Sequence, residues 1–233
     1  MFSESAELYD LIYSGFKNYA AEAETLAAIL QRVHPGGRTI LDVACGTGEH
    51  ARHLADRYGY QVDGVDLNPA FVRIAQAKLL SGSVHVGDMV SFDLQRQYDI
   101  VQCLFSSIGY VRTLENLAST LVCFRRHLAP HGVVIVEPWF PPGVLDVKRV
   151  HTSVAESDGL SVCRMSRIEV EGRLSRLHFD YLIGRPDGIR RASEVHELGL
   201  FTVEETMACF RRAGFDPEHD TRGLCDRGLY IAR

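Results

Sequence analysis

No stretch of this chain is apolar for long enough to span a bilayer, and the sequence contains no low-complexity tract and no internal repeat. The six cysteines, at positions 45, 103, 123, 163, 209 and 225, include no Cys-x-x-Cys pair. That scatter argues against a disulfide-stapled secreted scaffold and for reduced thiols in a cytoplasmic protein. Basic charge is not in excess either. The 25 Lys and Arg face 30 Asp and Glu, a net charge of −5, so no broad face for nucleic acid is expected. The first ten residues, MFSESAELYD, are acidic and lead into no apolar run, so no signal peptide is expected. A Gly-x-Ser-x-Gly elbow is missing, which removes the usual mark of an α/β hydrolase. His50 with His53, and His127 with His131, could share a helix face. No third ligand follows at a zinc spacing, so packed histidines and no metal are expected.

What is present is ordinary globular material: 233 residues, 46% hydrophobic and 24% charged, enough for one domain with a sizeable insertion. Apolar residues at helical spacing predict helices over residues 19–33, 49–58, 69–79 and 114–128. Short apolar runs predict strands over 39–44, 61–66, 84–88, 98–104 and 133–138, alternating with those helices. This alternation predicts an open parallel sheet with helices on both faces. After Phe140-Pro-Pro-Gly143 the pattern changes to three β-like runs, 161–170, 174–183 and 189–198, joined at Glu171-Gly172 and Arg185-Pro-Asp-Gly188. They predict an antiparallel insertion packed over one edge of the sheet. A Thr-x-x-Glu capping box at Thr202 and Glu205 opens a last helix, and strands at 215–220 and 228–232 complete the fold. The expected architecture is α/β: a doubly wound, mostly parallel, seven-stranded Rossmann-like sheet with an antiparallel β insertion after strand 5. The expected units are a core over 1–140 with a helical cap, an insertion over 141–199 covering a substrate site, and 200–233 completing the sheet.

The strongest chemical signal is a strand ending in Asp42-x-x-x-Gly46-x-Gly48, followed by a helix and then by Asp66 at the end of the next strand. Open parallel sheets bind ligands beyond the carboxyl ends of their strands. Glycines there let the backbone approach a ligand closely, and Asp66 is placed to accept hydrogen bonds from a ribose diol. The bland reading is a glycine turn with a solvated aspartate, but the full strand–turn–helix–acid order favours a nucleoside site. With Arg52 taken as the third position, the run departs from the dinucleotide fingerprint Gly-x-Gly-x-x-Gly/Ala, which weighs against NAD. Gly87-Asp88-Met89 puts a further carboxylate and an apolar cover at a third strand end. Asp88 could accept from an adenine amino group, although Met89 taken alone reads as core packing.

Leu41 to Gly48, Gly87-Asp-Met89, Phe105-Ser-Ser-Ile-Gly-Tyr110 and Val136-Glu-Pro-Trp139 resemble class I S-adenosylmethionine methyltransferases. More narrowly, the chain is similar to nucleotide-sugar N,N-dimethyltransferases of antibiotic biosynthesis, which make desosamine- and mycaminose-type amino sugars. The similarity runs through Leu8-Tyr-Asp10, Lys17-Asn-Tyr19 and the segment from Gly223 to Tyr230. The resemblance implies that Tyr9 and Tyr19 flank the methionine end of S-adenosylmethionine, with Tyr19 on its carboxylate. Ala44, Gly46 and Gly48 would lie along it, Asp66 and Leu67 at the ribose, Asp88 and Met89 at adenine, and Phe105 and Ser106 near the donated methyl. Tyr110 would face the sugar as the catalytic residue. Glu137, Trp139, Arg164, Arg176, Tyr181 and Arg227 would bind the substrate. Asp180 and Arg167 stand where relatives resemble His, and His178 where they carry an acid, so the sugar and nucleotide are left open.

Methyl transfer from a sulfonium is an in-line displacement from an activated donor, so alignment and exclusion of water matter more than a strong base. A sugar amine with a pKa of about 8 to 10 already has a neutral fraction at neutral pH. Arginines in the insertion suit bidentate phosphate recognition, the bland reading being a solvated strand face. The expected activity is methylation, once and then twice, of an amino group on a TDP-type deoxysugar, with S-adenosylhomocysteine as product. The alternatives are N- or O-methylation of another small metabolite and a non-catalytic cofactor-binding module. Neither nucleic acid nor membrane is an expected partner, and a homodimer is left open.

Overall fold

A computed structural model describes residues 6–233; the first five residues of the acidic amino-terminal stretch lie outside it. Among the described residues, a 3₁₀ turn (Ala6–Leu8) and two α-helices precede the sheet. Helix α1 (Tyr9–Ser14) buries Tyr9, Ile12 and Tyr13. Helix α2 (Tyr19–Val33) starts at Asn18, whose side-chain oxygen accepts from the Ala21 N–H at 3.0 Å, the usual remedy for an unpaired donor at a helix start.

The core then alternates: β1 (Thr39–Val43), α3 (Glu49–Tyr58), β2 (Gln61–Asp66), α4 (Pro69–Lys78), β3 (Val84–Val86), β4 (Tyr98–Cys103), α5 (Leu114–Arg126) and β5 (Leu128–Val136). After a second sheet come α6 (Val203–Arg212), β10 (Pro217–Asp220) and β11 (Leu229–Ala232). The seven strands lie in the order β10-β11-β5-β4-β1-β2-β3, parallel from β5 to β3, with β11 antiparallel to both of its neighbours. Alternate residues of each central strand feed opposite cores. Ile40, Ile100 and Ile135 pack with Leu26, Leu30 and Leu54 on one face, while Leu41, Val101 and Val134 pack with Leu121, Phe124 and Phe210 on the other. Burial on both faces is why these strands read as unbroken apolar runs.

The structure departs from the sequence expectation chiefly in three respects. Helix α5 stops at Arg126, and β5 begins at Leu128 rather than Val133. Tyr98 pairs with Leu128 but Ile100 with Val133, so Pro130 and His131 form an outward bulge in a strand that composition alone reads as a helix stop. The insertion is a separate sheet of four strands, β6 (Val150–Ser157), β7 (Leu160–Glu171), β8 (Leu174–Arg185) and β9 (Gly188–Gly199), joined by consecutive hairpins. Strand β6 escaped the sequence reading because it is mostly exposed and lacks apolar alternation. The sheet also does not lie over one edge of the core. Strand β9 meets the 3₁₀ turn Ser107–Val111 after β4, and β6 meets α1, so the sheet roofs the carboxyl ends of the parallel strands. The apolar part of its inner face, Val162, Phe179, Tyr181 and Ile183, is buried against Tyr9, Ile12 and Tyr13 of α1. The Thr202–Glu205 capping box forms with both of its reciprocal bonds. Among the described residues no helix is long and apolar enough to cross a membrane.

Gly48 starts α3 with φ +79°, and a Cβ there would come within 3.0 Å of the Ala75 Cβ on α4. The residue is thus needed for backbone conformation and for the approach of α4. Gly48→Ala is expected to destabilise the fold by about 1–3 kcal/mol, read as a lower urea midpoint.

Candidate functional site

The carboxyl ends of β1, β2, β3, β4 and β5 face the antiparallel sheet across a cavity of about 670 Å³. Ala44, Gly46, Asp66, Leu67, Asp88, Met89, Phe105, Ser106 and Tyr110 line it from the core, with Tyr9 from α1 and Trp139 and Arg227 from the β5–β11 side. Arg164 lines it from the roof. Tyr19 lies in an adjoining recess with Asp42, Thr47, Glu49 and His50, which shares Tyr9, Ala44, Gly46 and Phe105 with the main cavity. Backbone sterics explain the shape. Ala44 and Gly46 both hold φ +57°, so the chain leaves β1 in a tight left-handed turn. A Cβ on Gly46 would meet nothing within 4 Å, because that side of the residue is open to the cavity.

Asp66 organises this end. One carboxylate oxygen accepts from the Gly46 N–H and the other from the Asn68 N–H, each at 2.8 Å. Burial raises the Asp66 pKa, and those two bonds oppose the rise. Behind the loop, burial pushes the Asp42 carboxyl up to about 6, with His50 lowering it and Asp66 adding to the rise. Thr47 donates to Asp10 at 2.5 Å, and Lys78 donates to both Asp10 and Glu49, at 2.5 and 2.7 Å, which ties α1 to the loop. Behind His50 of the recess, Glu22 accepts from Lys17 at 2.5 Å and lies 2.8 Å from His50 Nε2. Burial works against its charge, yet the bonds to His50 and Lys17 keep its pKa below the usual value.

On the other side, Phe105 and Ser106 hold φ values of +52° and +60°, sparsely populated for residues with side chains. Glu137 holds them there. Its Oε2 accepts the Phe105 N–H at 2.6 Å, while its Oε1 accepts from Cys225 Sγ at 2.9 Å. Ser106 donates to the Pro138 carbonyl at 2.6 Å and receives Arg227 Nη1 at 3.1 Å. The Trp139 indole N–H donates to Ser175 at 2.9 Å, which pins the core to the roof. The Arg227 guanidinium lies 5.4 Å from the Phe105 ring and 6.0 Å from Trp139. Arg164 lies 5.0 Å from Phe179 and 5.2 Å from Tyr13, and its Nη1 is buried without a hydrogen-bond partner among the described residues.

Four expected site residues stand away from the cavity wall. Gly48 faces α4, for the packing reason given above. Glu137 is fully buried and consumed in bracing the Phe105 turn. Arg176 is paired with Glu171 and Glu197 on the outside of the roof. Tyr181 is buried with its hydroxyl donating to Glu194 at 3.3 Å. The third position of the dinucleotide-type run is Ala51, not Arg52, and it is fully buried in α3. The loop by itself therefore does not count against a dinucleotide. Tyr13, Phe16, Phe71, Phe179 and His196 also line the cavity and were not singled out by sequence. Alternation offered one clue: Glu194, His196 and Leu198 share the buried face of β9.

Because the folded-state pKa of Asp42 lies above its ordinary 3.8, the protonated form is the one the fold favours. Its contribution to stability is full below about pH 4 and is lost as pH rises through about 6. Asp42→Asn should remove that decline, gaining on the order of 2–3 kcal/mol over the parent near neutral pH. Thermal midpoints recorded from about pH 4 to pH 7 check it, and parallel curves for the two proteins would contradict it.

A methyltransferase-domain model matches residues 40–132. The chain is 41% identical to a Streptomyces fradiae dTDP-3-amino-3,6-dideoxy-alpha-D-glucopyranose N,N-dimethyltransferase, over 97% of this chain and 89% of that one. The crystal structure of Streptomyces venezuelae DesVI superposes with a TM-score of 0.92 at 36% identity, covering 100% of this chain and 99% of DesVI. The S-adenosylmethionine-bound structure of CalS10, an amino pentose methyltransferase from Micromonospora echinaspora, gives 0.87 at 34% identity, covering 97% of this chain and 95% of that one. Agreement at this level over the whole chain, in sequence and in fold, makes it a member of the sugar N,N-dimethyltransferase family of methyltransferases.

Proposed function

We propose that this protein transfers methyl groups from S-adenosylmethionine to the amino group of a TDP-linked deoxy-amino sugar, first one and then a second. The observation that carries the reading is one continuous cavity with opposite charge at its two sides. Asp66 and Asp88 stand at the ends of β2 and β3, whereas Arg227 stands beyond β5 and Arg164 in the roof. The carboxylate side suits a ribose diol, an adenine amino group and a cationic donor. The guanidinium side suits a diphosphate, with planar forks that bind two oxygens at once.

The residues present fit the methyl donor. Gly46 leaves open space where a Cβ would intrude, and Asp66 keeps lone pairs beyond its two backbone bonds. S-adenosylmethionine supplies a methyl already activated on a sulfonium. Asp66 and Leu67 would hold its ribose, Asp88 and Met89 its adenine, and Tyr9 and Tyr19 its methionine end. Phe105 and Ser106 would line the methyl path. Trp139 would cover the sugar, and Arg164 and Arg227 would hold the nucleotide phosphates. Tyr110 would orient the amine, which is nucleophilic in its neutral form without a strong base. In this reading residues 1–140 hold the donor, 141–199 cover the acceptor and 200–233 complete the sheet. S-adenosylhomocysteine is the product that remains after transfer.

Calorimetric titration with S-adenosylhomocysteine should give saturable heat, weakened about tenfold to a hundredfold by Asp66→Ala. Absence of heat with the parent protein overturns the donor assignment. Mass spectrometry with TDP-amino sugars should show one added methyl and then two. Tyr110→Phe should lower turnover modestly, by about tenfold, with donor affinity intact. Complete loss would assign Tyr110 more than orientation.

A further inference from the structure

Beside the proposed methyl path, and separate from every group assigned above to the donor or the phosphates, lies a chain of polar side chains, the half-buried Tyr110 and the buried His196, Glu194 and Tyr181. Tyr110 comes from the 3₁₀ turn after β4, and its hydroxyl lies 2.8 Å from His196 Nδ1 on β9. On the far side of the ring, His196 Nε2 lies 3.5 Å from Glu194 Oε2, which also accepts from the Tyr181 hydroxyl at 3.3 Å. Tyr110 and His196 both line the cavity. The imidazole is 1% exposed and Glu194 is 6% exposed, so neither can exchange protons freely with bulk water.

The backbone is shaped to make this contact. A Cβ on Gly109 would fall 2.9 Å from Leu198 and 3.0 Å from Trp139, so only glycine lets β9 settle this close to the turn that carries Tyr110. Phe179 packs edge-on to the imidazole at 5.2 Å and limits its rotation.

We propose that Tyr110, His196 and Glu194 form a relay that removes the proton from the acceptor nitrogen after each methyl transfer; the proposal rests on the N-methylation reading above. As the nitrogen lone pair forms its bond to the methyl carbon, the carbon–sulfur bond breaks and its electron pair stays on sulfur. The nitrogen then carries a positive charge and one proton too many. That proton passes to the Tyr110 oxygen as the Tyr110 proton passes to His196 Nδ1, and the imidazolium keeps its Nε2 proton directed at the Glu194 carboxylate. When product leaves and water enters, the proton returns through Tyr110 to solvent. No oxidant, reductant or further reactant is required. The nitrogen must lose a proton before it can attack a second time, and the relay supplies an outlet for that proton within the site.

Protonation states agree with this direction. Burial lowers the His196 pKa, opposed by Glu194, so the ring is a neutral acceptor near neutral pH. The relay uses the tautomer with the ring proton on Nε2, facing Glu194 Oε2 at 3.5 Å, so that Nδ1 offers its lone pair to the Tyr110 O–H. Burial raises the Tyr110 pKa, and Tyr13, Asp66, Glu194 and Tyr181 add to the rise, so the phenol conducts a proton without ionising on its own. Among the described residues, Arg164 from β7 also disfavours the imidazolium. Tyr110 is the catalytic residue of the relay; His196 and Glu194 act through it and are positioning residues.

The test compares the parent protein with His196→Gln, Glu194→Gln and Tyr110→Phe across about pH 6 to pH 9.5, scoring mono- and dimethylated product separately. His196→Gln should lose about tenfold in kcat at neutral pH, recover as alkaline solvent takes over the proton, and accumulate monomethyl product. S-adenosylhomocysteine affinity should stay within about twofold of the parent value. A variant whose pH profile runs parallel to the parent with an unchanged ratio of the two products overturns the relay. Should His196→Gln fail to fold, Tyr110→Phe decides by the same two readouts, because it removes only the bridging hydroxyl. If the parent itself gives no methylated amine, the N-methylation reading falls, a result distinct from an unaltered pH profile in the variants.

Discussion

The Asp66 carboxylate receives the Gly46 N–H on one oxygen and the Asn68 N–H on the other, and with those two bonds it joins the end of β2 to the loop that leaves β1. A strand end in an open parallel sheet exposes backbone groups that water or a ligand must satisfy. Asp66 satisfies two of them internally, and so freezes the loop in the left-handed turn through Ala44 and Gly46. The fixed loop sets where α3 starts, where α4 can pack against Gly48, and where α1 is tied through Asp10. Most of the cavity wall on this side follows from that geometry.

A second carboxylate does the corresponding task at the end of β5, but by a different route. Glu137 is buried and bonds the Phe105 N–H and the Cys225 thiol, holding a turn that two non-glycine residues would otherwise leave. The strain is local and the bracing comes from across the sheet, a pattern common where a backbone must present side chains to a ligand. Ser106 and Arg227 are linked to this turn, so the guanidinium on the β5–β11 side is oriented by the same constraint. Asp66 and Glu137 differ in one respect that decides their roles: Asp66 reaches the cavity and Glu137 does not.

The antiparallel sheet turns these strand ends into a roofed cleft. The apolar part of its inner face, Val162, Phe179, Tyr181 and Ile183, cannot remain in water, and α1 supplies the cover through Tyr9, Ile12 and Tyr13. Roofing the cavity in this way brings Arg164 and His196, which are remote in sequence from the glycine loop, to the same space as Asp66 and Tyr110. Exclusion of water strengthens electrostatic interactions there, which favours charge-matched binding and also makes the fate of each released proton a structural matter.

Local periodicity and strand-end chemistry carried the alternating core, the glycine loop with Asp66, the last capping box and most of the donor-side wall, because each depends on residues close in sequence or on one strand–turn–helix unit. The motif resemblance extended this to Tyr110, Trp139, Arg164 and Arg227, all of which line the cavity. Residues whose position depends on a partner far along the chain were not legible. Glu137 turned inward because the Phe105 turn needed an acceptor, Arg176 turned outward because Glu171 and Glu197 hold it, and Tyr181 was drawn to Glu194. The mostly exposed β6, the bulge in β5 and the seat of the roof over the strand ends were likewise settled by pairing and packing between distant segments. Sequence by itself determined a doubly wound sheet with an acid-and-glycine ligand loop, since short-range sterics and alternation dictate both. Only the tertiary structure decided which side chains share the cavity with that loop, because a strand residue faces in or out according to a register that its partners set.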